Sequence, residues 1–144
     1  MNGREWTTED LAEISKLEQE CFSDPWTQRM LADSYLADQF FGSLLEEEDG
    51  ITAYGGMHIM GDEAEIELIA TAEMYRRCGR GSKILDDLLE EAVRRGVKTV
   101  YLEVRVSNAP AQLMYLKRGF VGLYTRQRYY ADGEDAIVMK KELC

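Results

Sequence analysis

The segment Arg76-Arg77-Cys78-Gly79-Arg80-Gly81-Ser82 stands directly before a run in which Ile84, Leu85, Leu88, Leu89, Ala92 and Val93 keep helical period. Gly96 follows where a left-handed C-terminal cap is wanted, and Arg94 and Arg95 suit the negative end of the helix. Glycines at 79 and 81, between a strand ending near Ala70 and a helix starting near Ser82, let several backbone N–H groups point at one anion. A Cβ would block the approach of phosphate oxygens, and the helix start adds about half a positive charge. Arg76, Arg77 and Arg80 bring forked N–H donors that suit phosphate. A tight turn with surface arginines explains the same residues, so the segment alone implies an anion site and no particular chemistry. A dinucleotide fingerprint fails in detail. Ile84 stands where a third small residue is required, Glu103 lies inside its strand rather than at its end, and the glycines follow hairpins instead of opening the fold.

The patterns on either side read as one domain spanning residues 1–144. Thr7 or Thr8 can cap a first helix with Leu11, Ile14, Leu17 and Cys21 as its buried stripe, and Ser23-Asp24-Pro25 ends it. Thr27 caps a second helix, roughly to Leu36, that carries Met30, Leu31, Tyr35 and Leu36, so the pair forms a helical hairpin. Phe40 to Leu45, Ile51 to Met60 and Ala64 to Ala70 read as antiparallel strands joined at Asp49-Gly50 and Gly61-Asp62. After the amphipathic helix, Thr99 to Val106 alternates Val100, Leu102, Val104 and Val106 on one face with Tyr101, Glu103 and Arg105 on the other. Asn108 caps a short helix with Pro110 in its first turn, and Gly119 ends it. Phe120 to Arg128 and Ala136 to Lys141 close the chain as two strands joined through Tyr129 to Asp135. The expected class is mixed α/β: a central mixed sheet with antiparallel N-terminal strands, flanking helices and a C-terminal hairpin.

Composition removes several classes of function. A chain of 144 residues buries roughly 68–70% of its unfolded surface, enough for a real core. No apolar stretch is long enough to span a membrane, and Met1 to Glu20 is polar and acidic, unlike an export signal. Cys21, Cys78 and Cys144 are widely spaced, which suits incidental or buried thiols rather than a metal knuckle or a redox pair, so a cytoplasmic protein with no metal is expected. The net charge of -10 repels nucleic acid and favours either solubility or a cationic partner. Against that background, Arg76, Arg77, Arg80 and Lys83 invert the local sign.

Arg76-x-x-Gly79-x-Gly81 before an amphipathic helix resembles the coenzyme-A loop of the GNAT acetyltransferases. Glu20, Phe22, Pro25-Trp26-Thr27, Leu102-Glu103-Val104-Arg105, Ser107-Asn108, Tyr115, Gly119-Phe120, Tyr129-Tyr130 and Glu134-Asp135-Ala136 extend the likeness from about Leu11 to Met139, toward the RimI-type branch. That branch acetylates the N-terminal amine of a small-subunit ribosomal protein. The chain departs from the family pattern at Glu73, where proline is usual, and at Thr71, where valine is common. The usual first strand is reduced to Arg4-Glu5-Trp6 at most.

The resemblance implies acetyl-coenzyme A as cosubstrate. Ile69, Ala70 and Thr71 would hold its pantetheine arm, Arg76, Arg77, Cys78, Gly79, Arg80, Gly81 and Ser82 its pyrophosphate, and Asn108 a further part of the arm. Asn108 is equally explained as a helix cap. An amine attacks a thioester only when neutral, and a peptide α-amine has a pKa of about 7.7–8.0, so a base is needed. Glu103 is the candidate, against a plain ion pair with Arg105 or a solvated strand face. Tyr115 is the candidate acid for the departing thiolate, against simple core packing. No Ser or Cys nucleophile with a base is discernible, which favours direct transfer. Phe22, Pro25, Trp26, Tyr129 and Tyr130 could wall an acceptor groove or simply pack, and His58 reads as structural. A lysine side chain or small amine is the competing acceptor, and a non-catalytic acyl-coenzyme-A binding module the competing class.

Overall fold

The computed structural model describes residues 3–143, so Met1, Asn2 and the expectation for Cys144 lie outside the described residues. A short edge strand, Gly3–Glu5 (β1), precedes two helices, Leu11–Cys21 (α1) and Gln28–Leu36 (α2). The chain then runs through Phe40–Glu47 (β2), Gly50–Met60 (β3) and Glu63–Thr71 (β4), each antiparallel to its neighbour. The helix Arg80–Arg94 (α3) crosses over to Thr99–Arg105 (β5), which lies parallel to β4. The helix Ala109–Lys117 (α4) leads into Val121–Arg126 (β6) and Ala136–Glu142 (β7). The seven strands are ordered β1-β2-β3-β4-β5-β7-β6.

The expected mixed sheet is therefore present, with β7 rather than β6 inserted beside β5. Burial gives the reason. Ala136, Val138 and Met139 of β7 are buried, whereas β6 is exposed at all six positions and can occupy only an edge. The first strand is Gly3–Glu5, and Trp6 after it, whose backbone N–H still donates to the Gly42 carbonyl (3.1 Å), is a buried anchor whose indole N–H donates to the Ser43 carbonyl (3.0 Å).

Two cores flank the sheet. On one face Trp6, Leu11, Ile14, Leu31, Leu44, Ile51, Tyr54 and Ala70 pack under α1 and α2. On the other, α3 and Tyr115 of α4 cover Ala64, Ile66, Val100, Leu102, Val104, Phe120 and Met139. Gly55 lets α3 sit down on β3: a Cβ there would come within 2.6 Å of Ile84 Cγ2 and 3.1 Å of the Leu68 carbonyl. This close approach holds the start of α3 against the end of β4.

Helix boundaries follow the caps. Thr27 Oγ1 accepts the Met30 N–H (3.1 Å), and the Asp10 carboxylate accepts the Thr7 N–H (2.7 Å), where a single tight turn, Thr8–Asp10, precedes α1. At the far end of α3, Gly96 takes φ +81° and the Val97 N–H closes back on the Ala92 carbonyl. This corrects the expected apolar stripe. Val93 is 59% exposed, because the chain turns at Gly96 and tucks Val97 under the helix instead. The stripe of α1 is corrected as well, since Leu17 and Cys21 are only half-buried while Glu18 is buried. Glu18 is accommodated by two donors, the Tyr54 hydroxyl (2.6 Å) and the Trp26 N–H (3.0 Å), which tie the connection after α1 to the sheet.

Leu88 is fully buried at the centre of the α3 face. Leu88→Ala is expected to destabilise the protein by about 2–5 kcal/mol, read as a lower denaturant midpoint at unchanged slope.

Candidate functional site

β4 and β5 pair at three positions only, Glu63 with Thr99, Ala64 with Val100 and Glu65 with Tyr101. Beyond them β4 keeps β3 as far as Thr71, and β5 keeps β7 as far as Arg105. The two parallel strands therefore part, leaving a crevice at their C-terminal ends, where open α/β sheets place ligands. Ile69, Ala70 and Thr71 border it from β4, with the backbone edge that faces β5 outside any ladder. The Thr71 carbonyl accepts from Arg76 Nε (3.1 Å).

The glycine-rich turn sits at the mouth of this crevice. Gly79 caps α3 at φ +78°, and Arg77 is also left-handed at φ +66°. The first helical hydrogen bond runs from the Lys83 N–H to the Gly79 carbonyl (3.0 Å), so the N–H groups of Arg80, Gly81 and Ser82 precede it. A Cβ at Gly81 would lie 3.5 Å from both Thr71 Oγ1 and Met114 Sδ, so Gly81 faces the space between the end of β4 and α4. Cys78 is exposed within the turn.

Arg80 is held inward rather than out toward solvent. Its guanidinium pairs with Glu47 (2.6 Å) and lies over the Tyr75 ring at 4.7 Å. Arg80 Nε is buried with no hydrogen-bond partner among the described residues. Lys83 is likewise paired, with Asp87 (2.8 Å). These placements suit an anion held chiefly by backbone N–H groups.

Glu103 and Tyr115 lie on opposite faces of the sheet. Val100, Leu102 and Val104 point into the α3 core, which puts Glu103 on the other face of β5, half-buried, with the Tyr129 hydroxyl donating to its Oε2 (3.1 Å). The ion pair with Arg105 that competed for Glu103 is not formed. Tyr115 belongs to the α3 core, 7% exposed, and packs edge-on to Phe120. Burial, reinforced by Tyr130, pushes its phenol well above the ordinary tyrosine range. Asn108 Oδ1 caps α4 by accepting the Ala111 N–H (3.2 Å), which leaves its amide N–H2 to other partners.

The aromatic candidates fall on two connections that meet across the Glu103 face. Phe22 and Tyr129 are exposed, Pro25 and Tyr130 half-buried, and Trp26 packs on the α1–α2 core. His58 stays apart from them, bonded through Nδ1 to Glu67 (2.8 Å). Two residues of this face were not legible as part of the site. Glu65 stands beside Glu103 on the neighbouring strand, and burial, then the Glu103 charge, raises its pKa. Arg105 joins both connections through Asp24, Asp132 and Glu134. Its partners are scattered along the chain, and the sequence signals were its shared parity with Glu103 and its place in the Leu102-Glu103-Val104-Arg105 motif. Among the described residues no group of three or more His, Cys, Asp or Glu side chains could hold a metal.

Comparison with known proteins agrees with this architecture. The Acetyltransferase (GNAT) family matches residues 11–120. The [ribosomal protein bS18]-alanine N-acetyltransferase of Escherichia coli (strain K12) is 35% identical over 135 residues, covering 92% of this chain and 90% of its own. That of Salmonella typhimurium is 34% identical over 136 residues, covering 92% and 91%. The crystal structure of the Escherichia coli ribosomal-protein-S18-alanine N-acetyltransferase superposes with a TM-score of 0.91 at 32% identity, covering 99% of this chain and 93% of that one. Ard1 from Thermoplasma volcanium gives 0.90 at 26% identity, covering 99% and 97%.

The two glycines of the turn should respond differently to a methyl group. Gly79→Ala forces a Cβ into a left-handed cap and is expected to cost about 1–2 kcal/mol in denaturant unfolding. Gly81→Ala meets only ordinary contacts in the first helical turn and should leave stability unchanged or raised by about 0.5–1 kcal/mol.

Proposed function

Since the chain belongs to the acetyltransferase (GNAT) family, we propose that it transfers an acetyl group from acetyl-coenzyme A to the N-terminal α-amine of a protein. By likeness to its bS18-alanine N-acetyltransferase relatives, the acceptor is the N-terminal alanine of that small-subunit ribosomal protein, met in the cytoplasm. The observation that carries this reading is the parting of β4 from β5 after Glu65 and Tyr101, with Glu103 two residues further along β5 and the free N–H groups of α3 beside the end of β4.

The crevice fits the coenzyme. Its pyrophosphate suits the N–H groups of Arg80, Gly81 and Ser82, with Arg77 beside them and the orphaned Arg80 Nε behind. Its amide-bearing arm suits the unpaired edge of Ile69, Ala70 and Thr71, and Asn108 is placed to add its amide. When bound, acetyl-coenzyme A supplies an acetyl group activated as a thioester.

The chain's own residues then manage protons. Glu103 keeps Oε2 on the Tyr129 hydroxyl and takes the α-ammonium proton at its carboxylate, directly or through water. Tyr115, held protonated by burial, supplies a proton to the coenzyme sulfur as it leaves. Glu103, with Glu65 beside it, presents carboxylates to a cationic N-terminus, in keeping with the net charge of -10. The chemistry is direct transfer, with no covalent acyl-enzyme.

Acetylation is to be measured by mass on three acceptors: a peptide with the bS18 N-terminus, an N-blocked lysine peptide and a polyamine. Modification of the first at its α-amine is expected, and modification of only the other two would overturn the reading. Glu103→Gln should keep coenzyme affinity and lower kcat by about 10²–10⁴-fold. A bulky residue at 81, such as Gly81→Leu, should abolish coenzyme binding, measured by calorimetry.

A further inference from the structure

The end of β5 carries a guanidinium for which proton transfer has no use. Arg105 projects from the face that bears Glu103, with its side chain only 19% exposed. One terminal nitrogen reaches Asp24 in the α1–α2 connection (2.8 Å), and the other reaches Asp132 (2.9 Å) and Glu134 (2.9 Å) in the β6–β7 connection. Both acids of the second connection are fixed in turn, since Glu134 accepts the Ser107 N–H (2.8 Å) and Asp132 the Glu134 N–H (3.0 Å).

The same guanidinium lies over the Tyr130 ring at 4.0 Å, Tyr130 meets the Tyr129 ring edge to face at 5.1 Å, and Tyr129 donates to Glu103. A continuous path of contacts thus runs from Asp24 to the proposed base. One cation serves three carboxylates, so without Arg105 the two connections would present like charges to each other.

We propose that Arg105 is a positioning residue for the acceptor, clasping the two connections that wall the groove and setting Glu103 through Tyr130 and Tyr129. The proposal rests on the reading of that groove as the seat of a peptide N-terminus. The planar fork is essential to it: a lysine offers one point charge and cannot bridge both connections while stacking on Tyr130. The clasp is built for neutral pH. Hydrogen bonding by the Glu134 N–H and then Arg105 holds Asp132 below the ordinary range, and by Ser107 and then Arg105 does the same for Glu134. Carboxylates lowered in the folded state contribute above their unfolded pKa and lose that contribution only as pH falls through the lowered values.

Arg105→Met and Arg105→Lys are compared with the native protein by hydrogen exchange, acetyl-coenzyme A affinity and peptide kinetics. In Arg105→Met, exchange should quicken in residues 22–27 and 129–135, coenzyme affinity should hold, and peptide kcat/KM should fall about 10–100-fold, mainly through KM. Arg105→Lys should fall between. Asp24→Asn alone should have a smaller effect, and none when added to Arg105→Met. Native exchange in both segments, native peptide kinetics, or a parallel loss of coenzyme affinity and thermal stability would each overturn the proposal. If the native protein acetylates no peptide N-terminus, the acceptor reading fails and the clasp is decided by exchange alone.

Discussion

The parting of β4 from β5 after three residue pairs is the constraint on which the site depends. Each strand retains a full ladder on its other side, so the sheet remains one body while its centre opens. Unpaired backbone groups in a partly buried crevice are costly, at about 1–3 kcal/mol each when nothing bonds them. The opening therefore favours an occupant that carries its own amides. The crossover of α3 brings a helix N-terminus to the same opening, and Gly55 lets that helix lie close enough to matter. An elongated ligand with a charged end follows from these features before any side chain is considered.

A bulge sets which faces the site can use. Gly56 pairs with Leu68 but Met57 with Ile66, so Glu67 is an extra residue on β4. Ala64 and Ile66 before it join the α3 core, as Ile69 does after it, whereas Leu68 and Ala70 turn to the α1–α2 core. One inserted residue thus reverses the parity of the strand just where it parts from β5. It also puts Glu67 against Ser34 and His58 (2.8 Å each), anchoring α2 beside the crevice.

Local signals in the sequence carried most of the elements. Thr27, Asn108, Gly96 and Gly119 mark helix ends through side-chain caps or positive φ, which depend on near neighbours alone. The alternation in β5 was enough to place Glu103 opposite the core. What was not legible depends on residues distant in the chain. The insertion of β7 between β5 and β6 is decided by relative burial, and apolar Val121 and Leu123 made β6 look as eligible as β7. Glu18 reads as surface until Tyr54 and Trp26 supply its two donors. That Arg80 would also pair with Glu47, distant in the chain, was not legible from the turn itself. The alternative pairing of Arg105 with Glu103 gives way once three other acids, distant in the chain, claim the guanidinium.

That last substitution bears on how an acidic protein can run a basic step. In the proposed reading, a pairing of Arg105 with Glu103 would have neutralised the carboxylate and kept it from the acceptor proton. By engaging Asp24, Asp132 and Glu134 instead, the guanidinium leaves Glu103 bonded only to a neutral phenol among the described residues. The same logic appears at the other end of the crevice, where Arg80 and Lys83 are matched by Glu47 and Asp87. Carboxylates thus engage Arg80 and Lys83 at one end and Arg105 at the other, while in the proposed reading the backbone N–H groups of Arg80, Gly81 and Ser82 face an anion and Glu103, with Glu65 beside it, faces an ammonium. The separation of these two sites along one opening gives the crevice its direction.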